Sequence, residues 1–332
     1  MLFDFGRLHR VTYGDKGGHM QLFATTFQAV ATLLAIGILG FWLISRRIIG
    51  ELAIGSLSAL AIDIALPCLI FANIISNFKP DASGAWWLLP LGWAIFTIGA
   101  CALTWICSTI AATETRWEFR ACLFYQNGIF LPLTIIAQMF GADSIQVTEL
   151  FLFTLLYPAF FFTTAPAFFR AGLTFNRSRV FNSVLISTVA AMAIKLCGLD
   201  RFIPTFVVLS LKQVGALSVP LLMIIVGGSI FLDFKQQGRI RWLEVMKFVL
   251  AKNVIFPLAT LGFLLLLRPS YTMALFIMLQ GAVPPVTALP VFADRYQGDR
   301  GIVNQFMVAS FLFALISVPV AILLFEYFFS PG

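Results

Sequence analysis

The sequence predicts an all-α integral membrane protein whose ten transmembrane helices form two inverted five-helix repeats. Three observations predict it. The chain has 332 residues, 60% of them hydrophobic and 11% charged, with a mean hydropathy of +0.94, which leaves too few polar residues to coat a soluble domain. Its Lys and Arg residues concentrate in alternate joints between apolar runs, as the positive-inside rule requires. Finally, Asn127-Gly128-x-x-x-Pro132-x-Thr134 returns 153 positions later as Gln280-Gly281-x-x-x-Pro285-x-Thr287, each copy inside a long apolar run. Gly and Pro together break a helix, because Pro lacks the N–H and clashes with the carbonyl one turn back, while Gly has the loosest backbone. Matched breaks in two halves of a chain point to a transporter's binding site near the bilayer midplane.

Residues 1–19 are polar and contain glycines, without the apolar core of a signal peptide, so they read as an unstructured tail; Met20, which opens the first apolar run, is an alternative start. Spans are then expected wherever about 20 apolar residues run together. The first, 21–45, stops at Arg46-Arg47, and the second, 52–76, carries Asp63 and Pro67. The third, 85–111, is marked by Trp86, Trp87, Trp93 and Trp105, which with Trp117 read as an aromatic belt at the interfaces. The fourth, 119–140, holds the first copy of the motif. The fifth, 147–169, is rich in Phe, and Phe160-Phe161-Phe162 and Phe168-Phe169 are expected to face lipid or the domain interface. The sixth, 180–197, is short; the seventh, 204–232, is long enough to begin with an interfacial piece at Pro204. The eighth, 243–267, is followed by the ninth, 271–293, with the second copy of the motif, and the tenth, 302–328. Long strands of alternating polarity are absent, which argues against an outer-membrane barrel.

The joints after the odd spans hold Arg46, Arg47; Arg116, Arg120; Arg170, Arg177, Arg179; Lys235, Arg239, Arg241, Lys247; and Arg295, Arg300. The opposite joints hold only Lys79, Lys195, Arg201 and Arg268, with Arg7, Arg10 and Lys16 in the tail. Both termini are therefore expected on the non-cytoplasmic side. The spacing of 153 also sets Pro67 on Pro220 and Pro166 on Pro319, so the chain reads as a first repeat at 20–170 and a second at 171–332. An offset of five spans inverts the second copy in the membrane. The alternative is coincidence among frequent prolines.

The formal charge of +7 is dispersed over these joints rather than gathered in a basic patch, which excludes a nucleic-acid partner and leaves the lipid bilayer as the surroundings. The five cysteines lie in apolar runs without a CxxC pair, so neither a disulfide framework nor a zinc site is expected, and no cofactor motif is present. An intramembrane enzyme would need a nucleophile with a base, or two acids, at membrane depth; His9 and His19 are in the tail and Asp63 has no evident second acid, so no enzyme is expected. Without GxxxxGK[ST], ATP-driven transport would require another subunit.

The run Leu66-Pro67-Cys68-Leu69-Ile70-Phe71, with Asn127-Gly128, Pro132, Pro284-Pro285, and Pro220-Leu221 followed by Gly227-Gly228, resembles the auxin efflux carrier family over about residues 20–328. The short joint Arg170 to Arg179 is similar to the compact bacterial members of this branch of the bile/arsenite/riboflavin transporter-like superfamily. The resemblance implies a scaffold and a transport domain, helices 4 and 9 broken and crossing at their prolines, and a small organic anion bound beside the crossing. Family members carry auxin or dicarboxylates such as malonate. It implies a multi-pass protein of the cell inner membrane, with a homodimer as an open assembly.

Broken helices free backbone groups that lipid cannot satisfy, so two breaks define a polar cavity whose helix N-termini suit a carboxylate. Asn127 and Gln280 offer amide donors, with Gln126, Thr134 and Thr287 beside them, and Gly128, Pro132, Gly281, Pro284 and Pro285 shape the backbone. The alternative is that these residues only kink packed helices. Asp63, in mid-span, is the candidate for proton coupling, since burial favours the neutral acid; otherwise it is an acid capped by a hydroxyl such as that of Ser58, or a neutral acid facing a lumen. Lys195, Lys212 and Lys252 are expected to snorkel to the interfaces, Lys212 being also a candidate charge partner for the anion. The function expected is secondary active transport of a mono- or dicarboxylate by alternating access. The runner-up is a sodium-coupled organic anion symporter of the bile-acid-transporter type, for which spans 4 and 9 lack an acid before Asp294; a channel is the remaining class.

Overall fold

The computed structural model describes residues 16–78, 86–142, 144–169, 183–236 and 240–329. The expectations for tail residues 1–15, for the joint at 170–182 with its three arginines, and for Lys79 and Arg239 lie outside these residues. All the described elements are helical. They are α1 (Lys16–Ser45), α2 (Ala53–Asn77), α3 (Leu88–Cys107), α4 (Arg116–Phe124), α5 (Phe130–Phe140), α6 (Ile145–Phe153) and α7 (Tyr157–Phe168). After them come α8 (Ser183–Leu196), α9 (Thr205–Ala216), α10 (Ser218–Gln236), α11 (Trp242–Leu267), α12 (Tyr271–Ala282), α13 (Leu289–Arg295) and α14 (Arg300–Phe329). Among the described residues, six stretches are long and apolar enough to cross a bilayer: Leu22–Ser45, Ala53–Asn77, Leu88–Ile110, Thr205–Leu232, Trp242–Leu267 and Arg300–Phe329. Phe130–Phe140, Ser183–Leu196 and Tyr271–Ala282 are shorter apolar helices.

Proline sets most of the irregularities. In α2 a π-helical turn, Leu60–Ala65, ends just before Pro67, and in α11 another, Ala251–Ile255, ends just before Pro257. Widening the turn relieves the clash between the proline ring and the carbonyl one turn back without ending the helix. The tail expectation is corrected at its inner edge, since α1 already begins at Lys16. The fifth span is not one helix but two, divided at 154–156, with Pro158 in the first turn of α7 where a missing N–H removes no bond. The seventh span is divided as well, since α9 ends at Ala216 and α10 begins at Ser218. Gly198, at φ 65°, ends α8, a 3₁₀ turn Leu199–Phe202 follows, and Lys195 pairs with Asp200 at 2.8 Å to close this joint.

The helices pack as two groups. In the first, α1 lies along α10, and α2 packs on α8 and α9. Glycines allow the close approach: a Cβ at Gly40 would strike the Ile224 backbone, one at Gly227 the Gly37 carbonyl, and one at Gly215 the Leu69 backbone. The second group joins α3–α7 to α11–α14 around an aromatic core, in which Phe119 meets Phe248 and Phe306 edge-on at 5.3 and 5.5 Å. Asn253 ties α11 to α14 through Ser310 and Ser317. Helix α1 also packs on α5 and α14, so it bridges the groups. Trp87, Trp105 and Trp117 are exposed as a belt requires, but Trp93 is buried edge-on against Tyr157, and Phe161 and Phe169 are buried rather than lipid-facing.

Candidate functional site

The sequence copies of the motif sit at equal spacing, yet the chain breaks at different points within them. Helix α4 ends at Phe124, Tyr125 turns extended at φ −93°, ψ 97°, and α5 restarts at Phe130 with Pro132 in its first turn. Helix α12 instead runs through Gln280 and Gly281 to Ala282; Val283 is extended at φ −75°, ψ 150°, as a residue before proline prefers, and α13 starts at Leu289. The expectation that Gly281 breaks its helix is therefore corrected. The break belongs to Pro284-Pro285, which together remove two donors from the helical ladder.

The two extended segments cross and pair with each other. Gln126 and Pro285 form an antiparallel bridge, the Asn127 N–H donates to the Pro284 carbonyl at 2.8 Å, and the Val286 N–H donates to the Tyr125 carbonyl at 2.9 Å. Each break thus supplies partners for backbone groups that lipid could not satisfy. Side chains complete the junction. Gln280 Nε2 donates to the Gly128 carbonyl at 2.8 Å, and the Tyr157 hydroxyl donates to the Gln126 carbonyl at 2.5 Å. Both glycines mark close approach: a Cβ at Gly128 would strike Gln280 Oε1, and one at Gly281 would strike Thr260 Oγ1.

Around this junction lie buried polar atoms without partners: Gln126 Oε1, both amide atoms of Asn127, and Gln280 Oε1. Asn127 is 1% exposed and Gln280 is fully buried, so water does not serve them from an open surface. A buried amide left unpaired costs about 1–3 kcal/mol, so Asn127, with both amide atoms unpartnered, stands out among the residues of the crossing. The N-terminal turn of α5, next to it, has N–H groups with no preceding helical turn, a local positive dipole end.

The crossing therefore gathers Gln126, Asn127, Gly128, Gln280, Pro284 and Pro285. The other candidates stand apart from it. Thr134 bonds back to the Phe130 carbonyl at 3.0 Å within α5, Thr287 is half-buried in the gap between α12 and α13, and Gly281 packs on Thr260. Asp63 lies in the first group of helices, on the exposed side of the π turn of α2, 3.4 Å from the Ser183 hydroxyl.

Sequence reasoning passed over Tyr157 and misjudged Lys252, which is fully buried rather than snorkelling; its Nζ donates to the Leu123 carbonyl in the last turn of α4 at 3.3 Å. The signal was present, because Val245, Val249, Lys252 and Phe256 recur at helical spacing on one buried face. Glu149, half-buried in α6, is a further acid within the fifth apolar run.

A family model described as membrane transport protein matches residues 25–171 and 163–322, which include both extended segments of the crossing. No curated protein matches the chain.

Proposed function

The chain belongs to the membrane transport protein family, the family of the auxin efflux carriers, and from that premise we propose that it is a secondary transporter for a small mono- or dicarboxylate, working by alternating access at the crossing. The observation that carries the substrate class is Asn127, whose buried amide has both atoms unpartnered beside the N-terminal turn of α5. An amide donor and a helix N-terminus recognise a carboxylate without a buried arginine. Thr134 and Thr287 lie farther along the same segments as secondary contacts.

In this reading the chain crosses the cell inner membrane ten times as two inverted repeats, 20–170 and 171–332, with both termini outside. The disruptions of α2 and of α9–α10 support the duplication: Ile64, in the π turn, and Leu217, between α9 and α10, are separated by the same 153 positions as the motifs. The two groups of helices suit a scaffold and a moving transport unit, with α1 at their boundary. Ionisable groups are available within the spans to couple protons, Asp63 and Lys252 each standing in a π turn. A homodimer is compatible with this arrangement.

One observation favours the sodium-coupled alternative. Gln126 Oε1, Asn127 Oδ1 and Gln280 Oε1 are unpartnered carbonyl oxygens, the ligand type a hard cation takes. The test is a binding screen of acetate, malonate, succinate and indole-3-acetate on purified protein, then flux in proteoliposomes under imposed proton or sodium gradients. Asn127→Ala is expected to weaken carboxylate binding by about tenfold to a hundredfold, the worth of one hydrogen bond to a charged group. Wild-type affinity in that variant would sink the assignment, and flux that follows only the sodium gradient would favour the alternative.

A further inference from the structure

Lys252 is among the largest fully buried side chains in the protein, and no salt bridge pairs it with a carboxylate among the described residues. Its amine nitrogen rests on one carbonyl, that of Leu123, and lies 4.9 Å from the centroid of the Phe256 ring. Leu123 is in the last turn of α4, two residues before Tyr125, whose carbonyl is part of the crossing. The amine therefore sits at the carbonyl end of the broken helix, on a residue four positions before Asn127 in the chain.

Among the described residues, the neighbouring elements offer it no carboxylate partner. On α4 the titratable groups toward it are the buried Cys122 thiol and Glu118, and Glu118 is committed to the Asp299 N–H at 3.0 Å. Earlier on α11, Glu244 is paired with Lys247 at 2.7 Å and also accepts the Ala112 N–H at 3.0 Å. Helix α14, packed against the π turn, carries Asn304, Ser310 and Ser317 between its ends, with Arg300 and Glu326 in its first and last turns. A fixed ammonium in such surroundings is costly, and a single carbonyl together with a helix C-terminus repays only part of that cost. A carboxylate bound at the crossing would supply the missing charge.

We propose that Lys252 is the proton-linked counter-charge of the crossing, taking up a proton from the solvent when a carboxylate binds and returning it when the carboxylate leaves. The inference rests on the carboxylate reading of the crossing. Neutral amine, proton and carboxylate combine into an ammonium–carboxylate pair, so proton and anion cross together. A monocarboxylate then moves without net charge, and a dicarboxylate moves with one net negative charge. Lys252 also does what Asp63 was expected to do, from within the group of helices that forms the site.

The experiment follows proton uptake with a pH-indicating dye while malonate or acetate is titrated into weakly buffered, purified full-length protein above neutral pH, with binding read by calorimetry. Wild type is expected to take up about one proton for each anion bound. Lys252→Arg should bind the anion without proton uptake, because a guanidinium stays charged throughout. Lys252→Met should bind at least about tenfold more weakly and take up none, since it fills the same space without charge. Asp63→Asn should keep the full uptake. Anion binding without proton uptake in wild type, or unchanged uptake in Lys252→Met, overturns the proposal while leaving the carboxylate site standing. Loss of uptake in Asp63→Asn alone would transfer the role to Asp63. Failure of both anions to bind wild type removes the carboxylate reading, and the proposal with it.

Discussion

Single residues at the crossing do unequal work, and the glycines show it most clearly. Gly128 and Gly281 look equivalent in sequence, but one lies in the turn before α5, under Gln280, and the other inside α12 under Thr260. Both positions lack room for a methyl group, so overpacking by about 1–3 kcal/mol is expected on substitution by Ala. Gly128→Ala should lower the unfolding midpoint in detergent and abolish uptake, because Gln280 must leave the Gly128 carbonyl to make room. Gly99→Ala, where a Cβ meets nothing within 4 Å, should leave both unchanged. Equal effects of the two variants would refute a steric role for Gly128. That the motif contained glycines was legible in the sequence; which neighbour each one admits was not, since Gln280 and Thr260 reach them only through folding.

At the scale of elements, the prolines decide where helices stop, and the partner segment decides whether stopping is tolerable. Tyr125 and Val283 both turn extended, and each segment donates one N–H to a carbonyl of the other. Restoring N–H groups by the double change Pro284→Ala and Pro285→Ala removes the block on helix continuation, and α12 is expected to extend into 283–288. Membrane insertion should persist, because the run stays apolar, while uptake is lost with the bridge to Gln126. Full uptake in that variant would show that the crossing is dispensable. The positions of these breaks could be read from Pro284-Pro285 and from Asn127-Gly128. The division of the fifth span was signalled only by Pro158 and went unread, because one proline without a glycine more often kinks a membrane helix than ends it.

For the whole molecule, orientation can be checked with a native residue. Cys197 is exposed at the end of α8, beside the Lys195–Asp200 pair, whereas Cys107 and Cys122 are buried and Cys68 and Cys101 half-buried in apolar helices. The charge distribution predicts that Cys197 lies outside, so a membrane-impermeant maleimide should label intact cells, and Cys197→Ser should remove the signal. Labelling confined to inverted vesicles would reverse the topology. Composition, proline placement and the arginine-bearing joints already determined that this chain is helical, lives in a bilayer and carries two broken helices, because those properties follow from local hydropathy and backbone chemistry. Tertiary structure decided the rest. It broke the two helices at different points of the recurring motif, left the Asn127 amide unpartnered, set Asp63 in the other group of helices and buried Lys252 against α4, since each of these depends on which distant segment fills the neighbouring space.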